Sequence, residues 1–292
     1  MHEELNQFAR NNVWILVPRP ENCNVIDRTL FIRHVEETIT VTQIYVDDII
    51  FGSLLESLAY EFAECLKQEF EMSMVGELSY FLGPQVRQTE DGLFISQSKY
   101  AKDLVKRFGL DSKKHTRTPM STSLKLGRDA SVLECSRFQA DPKESHLSSV
   151  KRIIRYVSGT VDLGIFYSRN SNLDLVGYSD VDWAGNADDR KNTTGGCFYM
   201  GSNLVAWLSK KQNSISLSTA EAEYIAAGSC CTQLLWMKQM LSDYGISQLV
   251  ESHVVSLDHV STDNQLIDLL TKPLDGLRFK SLRTAVGVCS PI

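Results

Sequence analysis

The chain has 292 residues, 43% of them hydrophobic, which is enough for two modest domains with separate cores. Its net charge of −6 argues against a protein that grips nucleic acid over its whole surface. No apolar run reaches the length of a membrane span and no signal peptide is recognisable, so we expect an intracellular protein, cytoplasmic or nuclear, without a membrane partner. Seven scattered cysteines and six dispersed histidines predict free thiols and no zinc site.

The first half of the chain is predicted to alternate between strands and helices. β-Branched and aromatic residues flank an Asp pair in a pattern typical of strand–turn–strand, and an apolar spacing of four then predicts an amphipathic helix. Two short apolar runs around Glu90-Asp91-Gly92 predict a hairpin, which a second helix follows. The predicted bounds are Thr38–Gly52 for strand–turn–strand, 54–71 for the first helix, Tyr80–Arg87 and Leu93–Gln97 for the hairpin, and Ser98–Phe108 for the second helix.

Positive charge is concentrated in the middle of the chain. Residues 97–155 contain fourteen Lys or Arg against six Asp or Glu, a net +8, which leaves −14 for the rest. Local positive charge is what phosphate binding requires, whereas a solvated helical face with spare lysines is the alternative. The candidate nucleic-acid-binding residues are Lys99, Lys102, Lys106, Arg107, Lys151, Arg152 and Arg155.

The second half follows a polar, turn-rich stretch at 111–135. A basic helix is predicted from Pro142 to about Val157, after which strands dominate. The order strand-strand-strand-helix-strand-helix is typical of an α/β arrangement whose first three strands are antiparallel neighbours. The predicted strands are Gly164–Tyr167, Leu173–Asp180, Gly196–Met200, Leu204–Leu208 and Val254–Val260, and the helices are Thr219–Tyr244 and Gln265–Thr271.

Asp47 and Asp48 are predicted to lie at a hairpin tip, in the sequence Tyr45-Val46-Asp47-Asp48. Apolar strands on both sides would hold the two carboxylates away from the core, where they can bind a divalent cation. Phosphoryl transfer to a 3′ hydroxyl uses two such metals and needs carboxylates from more than one strand. An Asp pair in a turn is also typical of ordinary turn chemistry.

The sequence around this pair, from Gln43 to Gly52, resembles the polymerase motif of copia-type reverse transcriptases almost letter for letter. The resemblance implies a Pol polyprotein of a copia-type LTR retrotransposon, with RNA-directed DNA polymerase ancestry and with Asp47 and Asp48 as catalytic metal ligands. Further matching stretches are residues 3–8, 70–74, 76–83 and 97–100.

Three further motifs resemble the RNase H domain of the same family. Asp180 ends a predicted strand, and Asp182 is either an auxiliary ligand or a turn residue. Glu223 matches the family's helix, whereas Glu221 points to roughly the opposite side and is expected to face solvent. The resemblance implies that Asp180, Glu223 and Asp268 are catalytic residues that hold Mg²⁺ or Mn²⁺. The matching stretches are residues 178–185, 218–226 and 265–274.

Segments that the family carries are missing from this chain. Nothing before Tyr45 resembles the earlier catalytic Asp motif of the polymerase, because Asp27 matches text that lies just ahead of Tyr45. A Tyr-rich helical stretch is missing near 129–136. Near 247–251 the chain lacks a strand that ends in Cys-Asp-Asn and supplies a further RNase H ligand. Asp258 belongs by resemblance to the following strand and is not expected to replace it.

The predicted fold class is α/β, with an α+β palm remnant followed by an RNase H-like mixed sheet with helices. Loss of an interior strand from that sheet is expected to leave Trp207 and Trp236 partly exposed. The predicted regions are a reverse-transcriptase remnant with partial palm and thumb at 1–126, a basic connection at 127–162, an RNase H-like domain at 163–275 and a C-terminal tail at 276–292.

Three functions are compatible with this sequence. The missing carboxylates favour a degraded reverse transcriptase and ribonuclease H with incomplete metal sites. A non-catalytic module would instead bind an RNA–DNA hybrid or single-stranded nucleic acid through the basic segment 97–155. A residual nuclease would retain one metal on Asp180, Glu223 and Asp268.

Overall fold

A computed structural model of the chain describes residues 29–35, 38–110, 114–122, 141–183, 191–243 and 255–291. These residues form helices and antiparallel sheets, which confirms the predicted α/β class. The chain divides into two compact units, one of Met1–Leu78 with Met240–Ser247 and one of Ser79–Gln239 with Gln248–Ile292. In the described part of the chain, no helix has both the length and the apolar character needed to cross a bilayer.

The first unit contains an antiparallel meander followed by one helix. The predicted strand–turn–strand is confirmed, and a strand outside the predicted elements precedes it. The predicted helix is confirmed as well, since its apolar spacing buries Phe62 and Leu66, and the ring of Phe62 meets that of Phe51 edge-on at 5.1 Å. The elements are β1 (Leu30–Val35), β2 (Thr38–Tyr45), β3 (Asp48–Ser53) and α1 (Glu56–Glu69).

The second unit begins with the predicted hairpin, whose two strands belong to a four-stranded antiparallel sheet. The first hairpin strand starts later than predicted, because Leu82 (φ 51°) and Gly83 (φ 104°) turn the backbone ahead of it. Gly92 is required at the hairpin turn, since a Cβ there would lie 2.0 Å from the carbonyl oxygen of Tyr167. The strands are β4 (Gln85–Thr89), β5 (Gly92–Ser96), β6 (Gly164–Ser168) and β10 (Val288–Cys289), in the order β10-β6-β5-β4.

Two basic helices pack against each other in this unit. They are α2 (Ser98–Arg107) and α3 (Glu144–Ser158), close to the bounds predicted for them. Their contact is a small apolar cluster of Val105, Leu110 and Ile154. The charged residues of α2 are exposed, as are Glu144 and Lys151 on α3, whereas Arg152 and Arg155 of α3 are half-buried.

A second sheet of the same unit carries strands β7 (Leu175–Asp182), β8 (Thr193–Met200) and β9 (Asn203–Lys211), antiparallel in that order. The long helix α4 (Thr219–Asp243) lies directly on it, because Gly177 lacks a side chain and a Cβ there would lie 2.8 Å from the Sγ of Cys230. Among the described residues, β7 has no strand on its outer side and is therefore an edge.

A short helix, α5 (Asp268–Thr271), packs across β8. Ile267 is fully buried against this sheet, and Gly195 makes the approach possible, since a Cβ there would lie 2.5 Å from Ile267 Cγ2. The strand predicted at Val254–Val260 is wrong, because the described residues 255–260 make no ladder hydrogen bonds. β-Branched residues favour a strand, but a strand forms only where a partner is adjacent.

Residues 276–291, for which the sequence predicts only a tail, form helix α6 (Gly276–Ala285) and strand β10. Asp275 caps α6 by accepting hydrogen bonds from the backbone of Leu277 and Arg278. The ring of Phe279 meets Tyr156 of α3 at 5.5 Å, and β10 pairs with β6. Strand β6, predicted as the start of the RNase H-like region, thus joins β5 and β10 and not the sheet of β7.

Candidate functional site

Asp47 and Asp48 lie at the tip of the β2–β3 hairpin, as predicted. Tyr45 pairs with Asp48, so Val46 and Asp47 form a two-residue turn. Val46 has φ of 53°, in the left-handed region that is costly for a β-branched residue. Both carboxylates are exposed, and the strained turn aims them into solvent.

No third carboxylate joins this pair in the part of the chain that the structure describes. No group of three or more His, Cys, Asp or Glu is placed there to hold a metal ion. Two-metal phosphoryl transfer needs carboxylates from separate strands, and among the described residues this tip carries Asp47 and Asp48 from one hairpin.

The second candidate site is formed by Asp180 and Asp268, which the fold brings together from distant parts of the chain. Asp180 is near the end of β7, and Asp268 begins α5 where that helix crosses the sheet. Both side chains are buried, with 7% and 5% exposure. Two buried carboxylates need compensation, because an unpaired buried charge is strongly unfavourable.

Lys272 supplies that compensation. Its Nζ lies 2.7 Å from Asp268 Oδ1 and 3.1 Å from Asp180 Oδ2. The hydroxyl of Thr271 also donates a hydrogen bond of 2.6 Å to Asp180 Oδ2. Burial alone would lower the pKa of Lys272, but the hydrogen bond to Asp268 and the charge of Asp180 raise it above its ordinary value. The ammonium is therefore held charged between the two carboxylates.

The charges of Asp180 and Lys272 also affect the carboxyl groups of Asp182 and Glu223. Burial raises the pKa of Asp182 to about 6, with Lys272 opposing the shift and Asp180 reinforcing it. Partial burial and the charge of Asp180 likewise raise the pKa of Glu223, and Lys272 opposes that shift. Both carboxyls thus gain protons more readily than a free Asp or Glu.

The three predicted RNase H ligands line one open cleft of about 1140 Å³ beside β7. Asp258 lines the cleft as well, on the segment that follows residue 254. Glu221 is exposed, as predicted, and accepts a hydrogen bond from the backbone of Leu217 at 2.6 Å. Asp180, Glu223 and Asp268 therefore line the same cleft, but only Asp180 and Asp268 share a bonded partner, and the described residues contain no group of three His, Cys, Asp or Glu placed to hold a metal ion.

The candidate nucleic-acid-binding residues divide into two groups. Arg152 is used internally, since it donates to Thr118 Oγ1 at 2.9 Å and to the carbonyl of Met120 at 3.1 Å. Arg155 is half-buried, with a buried Nε. The remaining candidates are exposed on α2 and α3, and they are Lys99, Lys102, Lys106, Arg107 and Lys151.

Two members of the exposed group have partners of their own. Lys102 forms a 3.4 Å ion pair with Asp162, and Lys99 lies over the ring of Tyr80 at 5.8 Å. Exposed ion pairs such as that of Lys102 contribute little to stability.

Lys272 and Thr271 are site residues that sequence reasoning missed. Lys272 stands four residues after Asp268, a spacing at which a helix brings an acid and a base together. That signal was available in the sequence. The contact of both residues with Asp180 was not, because it depends on how α5 crosses the sheet.

Residues 12–122 match the family described as "Reverse transcriptase (RNA-dependent DNA polymerase)". The chain is 30% identical over 332 residues to the retrovirus-related Pol polyprotein from transposon RE1 of Arabidopsis thaliana, which covers 91% of this chain and 23% of that protein. The Pol polyprotein from transposon RE2 of the same plant is 29% identical with the same coverage. An uncharacterised mitochondrial protein of this plant is 32% identical over 66% of this chain and 92% of its own length. No solved structure gives a significant match.

The chain spans about a quarter of the length of the RE1 and RE2 polyproteins. The match to RE1 runs over 332 positions but covers 91% of the 292 residues of this chain, about 266, so roughly 66 positions of the matched region have no counterpart here. This difference agrees with the internal segments that the sequence lacks.

Proposed function

Because the chain belongs to the Pol polyproteins of copia-type retrotransposons and includes a reverse-transcriptase segment, we propose that it is a degraded enzyme. In this proposal it binds nucleic acid but neither extends a primer nor cleaves RNA. The exposed lysines on the packed helices α2 and α3 carry the binding part of the proposal. The incomplete carboxylate sets support the loss of catalysis.

Of the two reactions, polymerisation is the one for which fewer of the required carboxylates are present. Reverse transcriptases use divalent metals, which their carboxylates must bridge from separate strands. Asp47 and Asp48 supply carboxylates from one hairpin tip only, and the described residues add no third. We expect no template-dependent primer extension in Mg²⁺ or Mn²⁺. Extension that Asp48→Asn abolishes would contradict this.

Hydrolysis of an RNA strand also needs clustered carboxylates that hold two metals. Asp180 and Asp268 have the right donor chemistry, but the ammonium of Lys272 already bonds to both of them. The residues as arranged therefore do not fit the two-metal group.

Binding is supported by the placement of the basic side chains. Lys106 on α2 and Lys151 on α3 are exposed, and no acidic side chain pairs with them in the described chain. Lysines that meet phosphates release condensed counterions, so binding should weaken steeply as salt rises. We propose an RNA–DNA hybrid as the ligand. Single-stranded nucleic acid is the alternative ligand, and the experiment tests both.

The experiment is fluorescence anisotropy with a labelled hybrid and a labelled single strand at several salt concentrations. Lys106→Glu/Lys151→Glu should weaken binding by roughly tenfold or more and flatten the salt dependence. The matched control is Lys210→Glu/Lys280→Glu, which changes the charge equally at two exposed lysines outside these helices. Equal losses in both double variants would mean that total charge, and not this surface, governs binding.

A residual nuclease is the second candidate, because Asp180, Glu223 and Asp268 line one cleft. Its test is cleavage of a labelled RNA–DNA hybrid in Mn²⁺ by this chain, by Asp180→Asn, and by a version that carries the family's missing segment near 247–251. We expect cleavage only after reinsertion. Robust cleavage by the chain itself that is lost in Asp180→Asn would establish the nuclease.

A further inference from the structure

The cluster of Lys272, Asp180 and Asp268 is an ion triad whose members come from two different elements. Lys272 Nζ contacts Asp268 Oδ1 at 2.7 Å, Asp180 Oδ2 at 3.1 Å and Asp180 Oδ1 at 3.4 Å. Both oxygens of Asp180 thus face the ammonium, as they would face a bound cation. The ammonium therefore lies between one carboxylate oxygen of Asp268 and both carboxylate oxygens of Asp180.

Among the described neighbours of the triad, Arg278 also pairs with Asp268 but not with Asp180. Thr271 donates a hydrogen bond to Asp180, but its hydroxyl carries no charge. Arg278 stands 3.9 Å from Asp268 Oδ2, at the limit of an ion pair, and no contact joins it to Asp180 in the described residues. Asp182 and Glu223 add negative charge nearby. Of the described cations, Lys272 is thus the one that contacts both buried carboxylates.

A divalent ion shared by these two carboxylates would compete for the same space. Mg²⁺ and Ca²⁺ lie about 2.0–2.6 Å from their oxygen ligands, and Mn²⁺ uses similar oxygen sites. Lys272 Nζ stands 2.7 Å from an oxygen of Asp268 and 3.1 Å from an oxygen of Asp180, so it occupies a position between them that a shared metal would take. Ammonium and metal are therefore alternatives here, since two cations in one small site repel each other.

We infer that Lys272 is the resident cation of this site: its ammonium takes the place of a divalent metal and fastens α5 to β7. The two elements are then held together without metal. This inference concerns stability and metal affinity, and it does not depend on nucleic-acid binding, because its test contains no nucleic acid.

The wild-type chain provides the first test, with Mn²⁺ as the probe. Mn²⁺ binding is followed by electron paramagnetic resonance, and thermal unfolding is followed by tryptophan fluorescence. At about 1 mM Mn²⁺, or with EDTA, we expect an unchanged unfolding midpoint and no bound Mn²⁺ that depends on Asp180. One Mn²⁺ bound by the wild type and lost in Asp180→Asn would overturn the inference.

Lys272→Met provides the second test, because it vacates the site and keeps the apolar stem. Without metal the variant should unfold at a lower temperature than the wild type. Mn²⁺ at about 1 mM should raise its midpoint by roughly 5 °C and bind once per chain. Lys272→Arg, the matched control, should stay insensitive to Mn²⁺. A folded Lys272→Met that gains neither Mn²⁺ binding nor stability from Mn²⁺ would contradict the inference.

A third variant covers the case in which Lys272→Met does not fold. Lys272→Met/Asp180→Asn/Asp268→Asn removes the cation together with both charges that it neutralises. We expect this triple variant to fold and to ignore Mn²⁺. Failure of the triple variant to fold would mean that the lysine stem or the carboxylate geometry, and not the charge balance, holds α5 in place, and that outcome also overturns the inference.

Discussion

The two acidic sites of this chain differ in the way that the surrounding structure treats their charge. Asp47 and Asp48 stand exposed at a hairpin tip, where water solvates them. Asp180 and Asp268 are buried, and an ammonium and a hydroxyl satisfy them. We therefore expect the first pair to contribute little to folding and the second to contribute more. Resemblance to a catalytic motif therefore does not by itself tell whether a carboxylate still serves chemistry or serves stability.

The largest effect is expected from removing the charge of Asp180. Asp180→Asn keeps the shape of the side chain but loses its ion pair with Lys272, in a buried setting where charged hydrogen bonds matter most. We expect the second unit to lose about 2 kcal/mol of unfolding free energy. Urea denaturation followed by tryptophan fluorescence measures this, because Trp183, Trp207 and Trp236 all belong to that unit. If Asp180→Asn lost no more unfolding free energy than substitutions of surface residues do, Asp180 would contribute as little to stability as Asp47 and Asp48.

The next largest effect concerns Asp182, whose titration makes the stability of the chain depend on pH. The pKa of Asp182 in the folded chain is about 6, raised from an ordinary value of 3.8. Between these values the folded state binds more protons than the unfolded state, so stability falls as pH rises toward 6 and stays reduced above it. Asp182→Asn should therefore stabilise the chain at pH 7, by about 1 kcal/mol after allowing for solvent screening of the half-buried carboxyl.

The measurement for Asp182 is a series of urea unfolding curves from pH 4 to pH 7. The difference between Asp182→Asn and the wild type should grow with pH up to about 6 and then level off. Glu221→Gln, which changes an exposed carboxyl of the same unit, serves as the control and should give a flat difference. A flat difference for Asp182→Asn as well would remove Asp182 from the buried cluster.

A smaller effect is expected at the hairpin tip. Val46 has φ of 53°, which costs a β-branched residue about 1–2 kcal/mol, whereas Asn tolerates this conformation. Val46→Asn should stabilise the β2–β3 hairpin by about 1 kcal/mol, seen as slower amide exchange in these two strands. Faster exchange would show that the side chain of Val46 contributes contacts that outweigh its backbone strain.

The smallest effect is expected from Asp48→Asn. An exposed carboxylate without a buried partner should change unfolding free energy by no more than about 0.5 kcal/mol. Amide exchange in β2 and β3 is the direct measurement, with Asp180→Asn as the contrasting variant in the other unit. A loss as large as that of Asp180→Asn would erase the distinction between the two acidic sites.

Local pattern predicted the elements whose apolar spacing is strong. Helix α1 follows from apolar residues four apart, and the β4–β5 hairpin follows from its acidic turn with Gly92. The strand expected at Val254–Val260 failed, because strand formation depends on a partner that a local pattern does not reveal. Trp207 and Trp236 are partly exposed, at 56% and 44%, as predicted, but Trp207 lies on β9, at the opposite edge of the described sheet from β7.

In the basic segment, too, the sequence pattern predicted which residues are candidates, and the packing decided how they are used. The sequence identified all seven basic candidates by charge, and five of them are exposed on α2 and α3. Arg152 instead fastens the segment at Thr118 and Met120 to α3. A guanidinium makes several hydrogen bonds at once, so an Arg on a basic helix serves equally well for internal bonding and for phosphate. Charge alone does not separate these two uses.

The sequence by itself determined the family, the α/β class and the identity of the acidic residues, because motif letters and short-range periodicity carry that information. Only the tertiary structure decided that Asp180 and Asp268 meet at Lys272, that β7 ends the described sheet, and that residues 276–291 pack as a helix and a strand. The physical reason is that these features depend on contacts between residues far apart in the chain. Their energies come from burial and from charge pairing, which exist only once the chain has folded.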